Sequence, residues 1–172
     1  MITNIENSKI AIIGGGKRCK ALLKAVFAEK SPGKRPEIIG VAEIDQEAEG
    51  LEYAREKSIF TTDDYRELLS LKDIDMVVEL TEDNWLKESI KELKPSWVLL
   101  VDHYEARSVM DYFQIKAKKI GTLEKIRDAE GDPDAASRFF EDFYDFVRKK
   151  NRDRDAYARD IREKLESEEW NL

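Results

Sequence analysis

Short apolar runs closed by turn residues alternate with segments of helical period along the first two-thirds of the chain. Lys9-Ile10-Ala11-Ile12-Ile13 runs into Gly14-Gly15-Gly16. It reads as a buried strand, because a parallel strand covered on both faces need not alternate. Ala21, Leu22, Ala25 and Val26 then fall at helical spacing and predict a helix from Lys17. The breaker-rich stretch Ser31–Pro36 is a loop. Glu37–Glu43 predicts a second strand, Glu47–Glu56 a helix and Ser58–Thr61 a short strand. Asp63 is placed to cap a helix reaching Leu71. Asp75–Thr81 predicts a fourth strand, Asn84–Leu93 a helix and Trp97–Asp102 a fifth strand.

Five strand–helix alternations imply an α/β fold with a doubly wound parallel sheet of about five strands, joined by right-handed crossovers. Beyond Asp102 the pattern changes. Val109, Phe113, Ala117, Ile120, Leu123 and Ile126 keep helical spacing through Gly121. Asp132 suits an N-cap and Pro133 a first turn, so a second helix starts there. It carries Phe139, Phe140, Phe143, Tyr144, Phe146 and Val147, then Tyr157, Ile161 and Leu165. The two helices are expected to form an antiparallel C-terminal hairpin. The organisation expected is a sheet domain over residues 1–121 and a helical extension over 122–172, the latter denser in charge.

Charge and composition narrow the function classes. The chain has 172 residues and a formal net charge of −7, which argues against a nucleic-acid partner and against docking on anionic lipid. No apolar run approaches the roughly 20 residues of a membrane helix, and Met1–Lys9 lacks a signal-peptide core. One cysteine and one histidine exclude an internal disulfide and argue against a metal site. A cytoplasmic protein is expected.

The glycine turn carries the chemistry. Gly14 permits a tight turn after the first strand, and Gly16 lets a pyrophosphate approach the backbone, with Gly15 between them. The following helix start offers free N–H groups and a positive dipole end. Cys19 stands where a third small residue is usual, and Lys17 and Arg18 add positive charge. Glu43, closing the second strand, is suited to accept the ribose hydroxyls of an adenosine and to repel a 2′-phosphate. Asp45 is a second acid of that kind. These residues point to NAD, with NADP less favoured; the alternative is a structural glycine turn in a ligand-free domain.

Ile10–Gly16, Val41–Asp45, Thr61–Leu69, Asp73–Val78 and Thr81 together resemble the NAD(P)-binding half of the Gfo/Idh/MocA oxidoreductases. The resemblance covers about Lys9–Asp102. It implies a Rossmann-type fold and cofactor contacts at Gly14, Gly16, Glu43 and Thr81. It also exposes departures. Where that family places Glu-Lys-Pro with a catalytic lysine, this chain reads Asp102-His103-Tyr104, and the large substrate domain has no counterpart. Asp102-His103-Tyr104-Glu105-Ala106-Arg107 is similar to a stretch in the Rossmann-like segments that precede signalling modules in some bacterial sensor proteins.

His103 falls at the carboxyl end of the fifth strand, where open α/β sheets bind ligands. It is a catalytic candidate, a ligand-contact candidate or a purely structural residue, with Asp102 placed to orient it. Cys19 is a remote nucleophile candidate, since a helix N-terminus lowers a thiol pKa. The aromatic cluster in the last helix packs on the preceding helix or forms a homodimer interface. The expected function is a dinucleotide-binding sensory or regulatory module without a complete catalytic site. Its rivals are a small NAD(P)-dependent oxidoreductase that needs a partner subunit and a ligand-free interaction scaffold.

Overall fold

The computed structural model describes residues 5–169, apart from the side chains at 164, 165 and 167–169. The expectations for Met1–Asn4 and for Leu165 lie outside the described residues. Strands β1 (Lys9–Ile13), β2 (Glu37–Ala42), β3 (Thr61–Thr62), β4 (Met76–Glu79) and β5 (Leu99–Val101) alternate with helices α1 (Lys17–Phe27), α2 (Glu49–Glu56), α3 (Tyr65–Leu69) and α4 (Asn84–Leu93). Helices α5 (Ala106–Asp128) and α6 (Ala135–Glu169) follow. The sheet is entirely parallel, in the order β3-β2-β1-β4-β5. This is a Rossmann-type doubly wound sheet, whose strand order reverses between β1 and β4.

The continuous apolar runs are explained by burial on both faces. Ala11, Ile13, Ala42 and Val77 meet Leu68, Leu69, Ile90 and Val98 in one cluster, while α1 buries Cys19, Leu22, Leu23 and Val26 and packs beside α2. The outer strand β5 has backbone groups at both ends occupied by side chains. Lys94 donates to the Val98 carbonyl at 2.7 Å, and the Glu105 carboxylate accepts the Asp102 N–H at 3.3 Å. Charged groups on an edge strand discourage pairing with another chain.

Several element ends differ from expectation. Asp64, not Asp63, caps α3, its carboxylate accepting the Arg66 N–H at 2.9 Å. Strand β3, expected over Ser58–Thr61, is instead Thr61 and Thr62, the two residues that pair with Val41 and Ala42. Asp132 spends its carboxylate on the Asp134 N–H at 3.0 Å; this closes a turn, and α6 begins only at Ala135.

The chain divides into two compact units between Met110 and Asp111, inside α5. In the second unit, Lys150 of α6 reaches the buried Asp111 carboxylate at 3.4 Å and hydrogen-bonds Gln114. Lys118 lies 5.7 Å from the Phe146 ring and Lys125 5.9 Å from that of Phe139. These pairs run in opposite sequence directions, so α5 and α6 form the antiparallel hairpin that the spacing predicts. No helix among the described residues is long and apolar enough to cross a membrane.

Candidate functional site

The turn after β1 is built by close approach. Gly14 has φ +105°, a region that L side chains rarely adopt, and its N–H is held by the Ala42 carbonyl at 2.9 Å. Gly15 lies against the end of β2, where a Cβ would come within 2.7 Å of the Glu43 Cβ. From the other side α2 presses on the same turn. A Cβ on Gly50 would meet the carbonyl oxygens of Gly15 and Gly16 at 2.5 and 2.6 Å, and Leu51 N–H donates to the Gly15 carbonyl at 3.0 Å. Gly16 is different. It is exposed, is the α1 N-cap without a side-chain cap, and has open space where a Cβ would stand.

Beside this turn opens a cavity of about 430 Å³, lined by Gly14, Gly16, Glu43, Thr81 and neighbours from the ends of β1, β2 and β4. The structure thus gathers the four positions implied by the family resemblance. Gly15 lies beneath the cavity rather than in its lining. The volume falls in the usual range for small-molecule sites, about 300–1,000 Å³. Ile44 also lines the cavity and is 83% exposed, an apolar side chain with little protein against it. Tyr65 lines it too, with a phenolic oxygen that is buried and lacks a hydrogen-bond partner. Glu43, Asp63 and Asp83 make the lining acidic, with no lysine or arginine in it.

Glu43 is engaged by bonds within the protein. Its Oε2 accepts the Gly15 N–H at 2.7 Å and its Oε1 the Asp45 N–H at 3.0 Å. Asp45 caps the Glu47 N–H at 3.0 Å and lies outside the lining. Arg18 reaches over to the β4–α4 turn, donating to the Leu80 carbonyl at 2.7 Å and pairing with Glu82 at 3.0 Å. Lys17 is exposed. Neither cation lines the cavity.

His103 follows β5 as expected, but Glu79 orients it rather than Asp102. Glu79 is fully buried at the end of β4. Its Oε2 lies 2.5 Å from the His103 Nδ1 and accepts the His103 N–H at 3.1 Å. Its Oε1 accepts the Thr81 N–H, the Thr81 hydroxyl and the Glu82 N–H at 2.5, 2.6 and 3.1 Å. Asp102 instead accepts the Tyr104 and Glu105 N–H groups, both at 3.0 Å, and faces Lys87 at 3.8 Å. His103 is only 4% exposed and lies outside the cavity lining. A sequence signal for Glu79 exists in hindsight: it is an acid inside the apolar run Met76–Leu80, one strand away from the histidine.

Cys19 also differs from expectation. The helix start was expected to lower its pKa; burial, reinforced by the Glu43 charge, pushes it up to about 12. Such a thiol is not a nucleophile at neutral pH. Among the described residues no group of three or more metal-ligating side chains occurs.

No family model and no curated protein matches the chain. Among solved structures it is similar to GenD2 from gentamicin A biosynthesis in complex with NAD, at 16% identity and TM-score 0.44, over 66% of this chain and 33% of that one. It is similar to apo scyllo-inositol dehydrogenase from Lactobacillus casei, at 16% identity and TM-score 0.41, over 66% and 34%. It is also similar to SirC, a precorrin-2 dehydrogenase, at 12% identity and TM-score 0.44, over 95% and 98%. The chain spans about a third of the length of the first two.

Proposed function

We propose that this chain binds NAD(H) in the cavity beside the glycine turn and acts as a cytoplasmic sensory or regulatory module without a complete catalytic site. The observation that carries this reading is the meeting of Gly14, Gly16, Glu43 and Thr81 around one cavity, at the reversal of strand order where such sheets bind ligands. The residues suit the group. The open face of Gly16 and the uncapped start of α1 offer N–H donors to a pyrophosphate. Glu43 has lone pairs left for ribose hydroxyls, Ile44 offers an apolar surface to a base, and Tyr65 has a donor to give. The acidic lining disfavours the extra phosphate of NADP. Lys17, which follows Gly16, lends positive charge near the phosphates from outside the lining, while that of Arg18 is spent on Glu82.

NAD(H) supplies a hydride couple when bound, so such a site registers redox state. The regulatory role is favoured by the lack of a lysine at the Asp102-His103-Tyr104 position and by the burial of His103 against Glu79. An oxidoreductase completed by a partner subunit is the rival reading. Residues of α6 support a homodimer, since Phe140 and Tyr144 are 38% and 50% exposed and aromatics are enriched at partner surfaces.

Native mass spectrometry of freshly purified protein tests both parts. A bound mass of a dinucleotide and twice the chain mass are expected. An unliganded 20.0 kDa species that takes up no added NADH contradicts them.

A further inference from the structure

A second cavity, of about 580 Å³, opens at the other end of β2, between the end of α1, the Pro32–Arg35 turn and the segment Lys57–Phe60. Two cations converge there on one aromatic ring. The Arg35 guanidinium lies 4.4 Å from the Phe27 ring centroid, and the Lys57 ammonium lies 5.8 Å from it and 5.3 Å from that of Tyr53. All three distances are within reach of a cation–π attraction. Arg35 is fixed by a bond from Nη1 to the Glu29 carbonyl at 2.9 Å, which leaves most of its donors unspent. Neither cation has a carboxylate partner among the described residues.

The local charge does not balance. Helix α1 ends beside Phe27 and α2 ends at Lys57. Among the side chains that line the cavity, two cations stand against the single carboxylate of Glu37, which is exposed and pairs with neither, so one positive charge is left over. The remaining wall is apolar, with Ile39, Ile59 and Phe60; Phe60 is 45% exposed. One surplus positive charge beside an apolar wall suits a single negative charge on an apolar body.

We propose that this cavity is a binding site for an organic monocarboxylate with an aryl or branched alkyl body. The carboxylate sits between Arg35 and Lys57, and the body lies on Ile39, Ile59 and Phe60. The site is separate from the glycine turn, since Glu37 opens β2 and Glu43 follows its far end. It does not depend on the dinucleotide reading. A dianion is disfavoured, because its second charge meets Glu37.

The test uses the full chain, amide NMR and three probes: 1-naphthylacetate, its neutral counterpart 1-naphthylacetamide, and 1-naphthyl phosphate. The acetate should saturate, with shifts grouped at Phe27, Arg35 and Ser58–Phe60. The acetamide should bind at least tenfold more weakly, and the phosphate should bind more weakly than the acetate. Arg35→Met and Lys57→Met should each weaken the acetate severalfold. Lys57→Met leaves the Arg35–Glu29 bond untouched, so the result does not hinge on loop integrity. Equal affinity for the acetate and the acetamide overturns the proposal. So does wild-type binding by both variants, or shifts grouped at Gly14–Gly16. Tighter binding of the phosphate overturns the carboxylate assignment.

Discussion

The carboxylate of Glu43 accepts the Gly15 N–H at 2.7 Å, so the acid at the end of β2 braces the glycine turn beside the exposed Gly16. The bond has a consequence for mutagenesis. Glu43→Ala would strip a buried donor of its acceptor, costing about 1–3 kcal/mol, and would mix a folding effect with a binding one. Glu43→Gln keeps an acceptor for Gly15 and removes the charge. It should weaken NAD about tenfold, or about 1.4 kcal/mol, and weaken NADP less. Fluorescence titration with the two reduced cofactors measures the ratio. An unchanged ratio would make the Glu43 charge irrelevant to selectivity.

Glu79 serves more partners than the histidine it holds. It satisfies Thr81, Glu82 and the His103 backbone as well as the imidazole. Glu79→Ala should cost at least about 3 kcal/mol, as expected when one side of a buried pair is removed, and His103→Ala should cost less. Urea denaturation gives both values. Equal losses would mean that the backbone bonds to Glu79 contribute little.

Cys19 predicts a pH dependence whose sign is fixed. Its pKa rises from the ordinary value of 9.0 to about 12 on folding. Below pH 9 both states keep the proton. Between about pH 9 and 12 the unfolded chain loses it while the folded one keeps it, so this contribution to stability falls as pH rises. The stability difference between wild type and Cys19→Ala should therefore shift against the wild type from pH 8 to pH 10. A constant difference across that interval would place the thiol pKa near its ordinary value.

The sheet was legible because double burial leaves a plain mark: runs such as Ile10–Ile13 and Met76–Val78, each closed by a turn. α4 was bounded correctly at Asn84 and Leu93 because Asp83 precedes it and Pro95 follows. The ends of β3 and α3 were not, since pairing partners and the choice between Asp63 and Asp64 as cap are settled by tertiary contacts. In the candidate site, the glycines and Glu43 were readable because the turn they build is local to a strand–turn–helix unit. Tyr65 and Ile44 were missed because their distinguishing features, a buried hydroxyl without a partner and an uncovered apolar side chain, exist only once the fold brings β1, β2 and β4 together. The Glu79–His103 pair joins residues 24 apart, and Asp102 was the nearer acid in sequence.

Gly16 offers the most direct test of the proposed dinucleotide site. A Cβ there meets nothing within 4 Å, and its φ of −78° is open to any residue, so Gly16→Val should fold with nearly wild-type stability while its side chain occupies the space a pyrophosphate needs. Calorimetric titration of NADH into both proteins, with thermal melting to confirm the fold, is the measurement. The account predicts micromolar-range binding by the wild type, about −8 kcal/mol at 1 μM, and none by a folded Gly16→Val. Equal heats from the two proteins would contradict it.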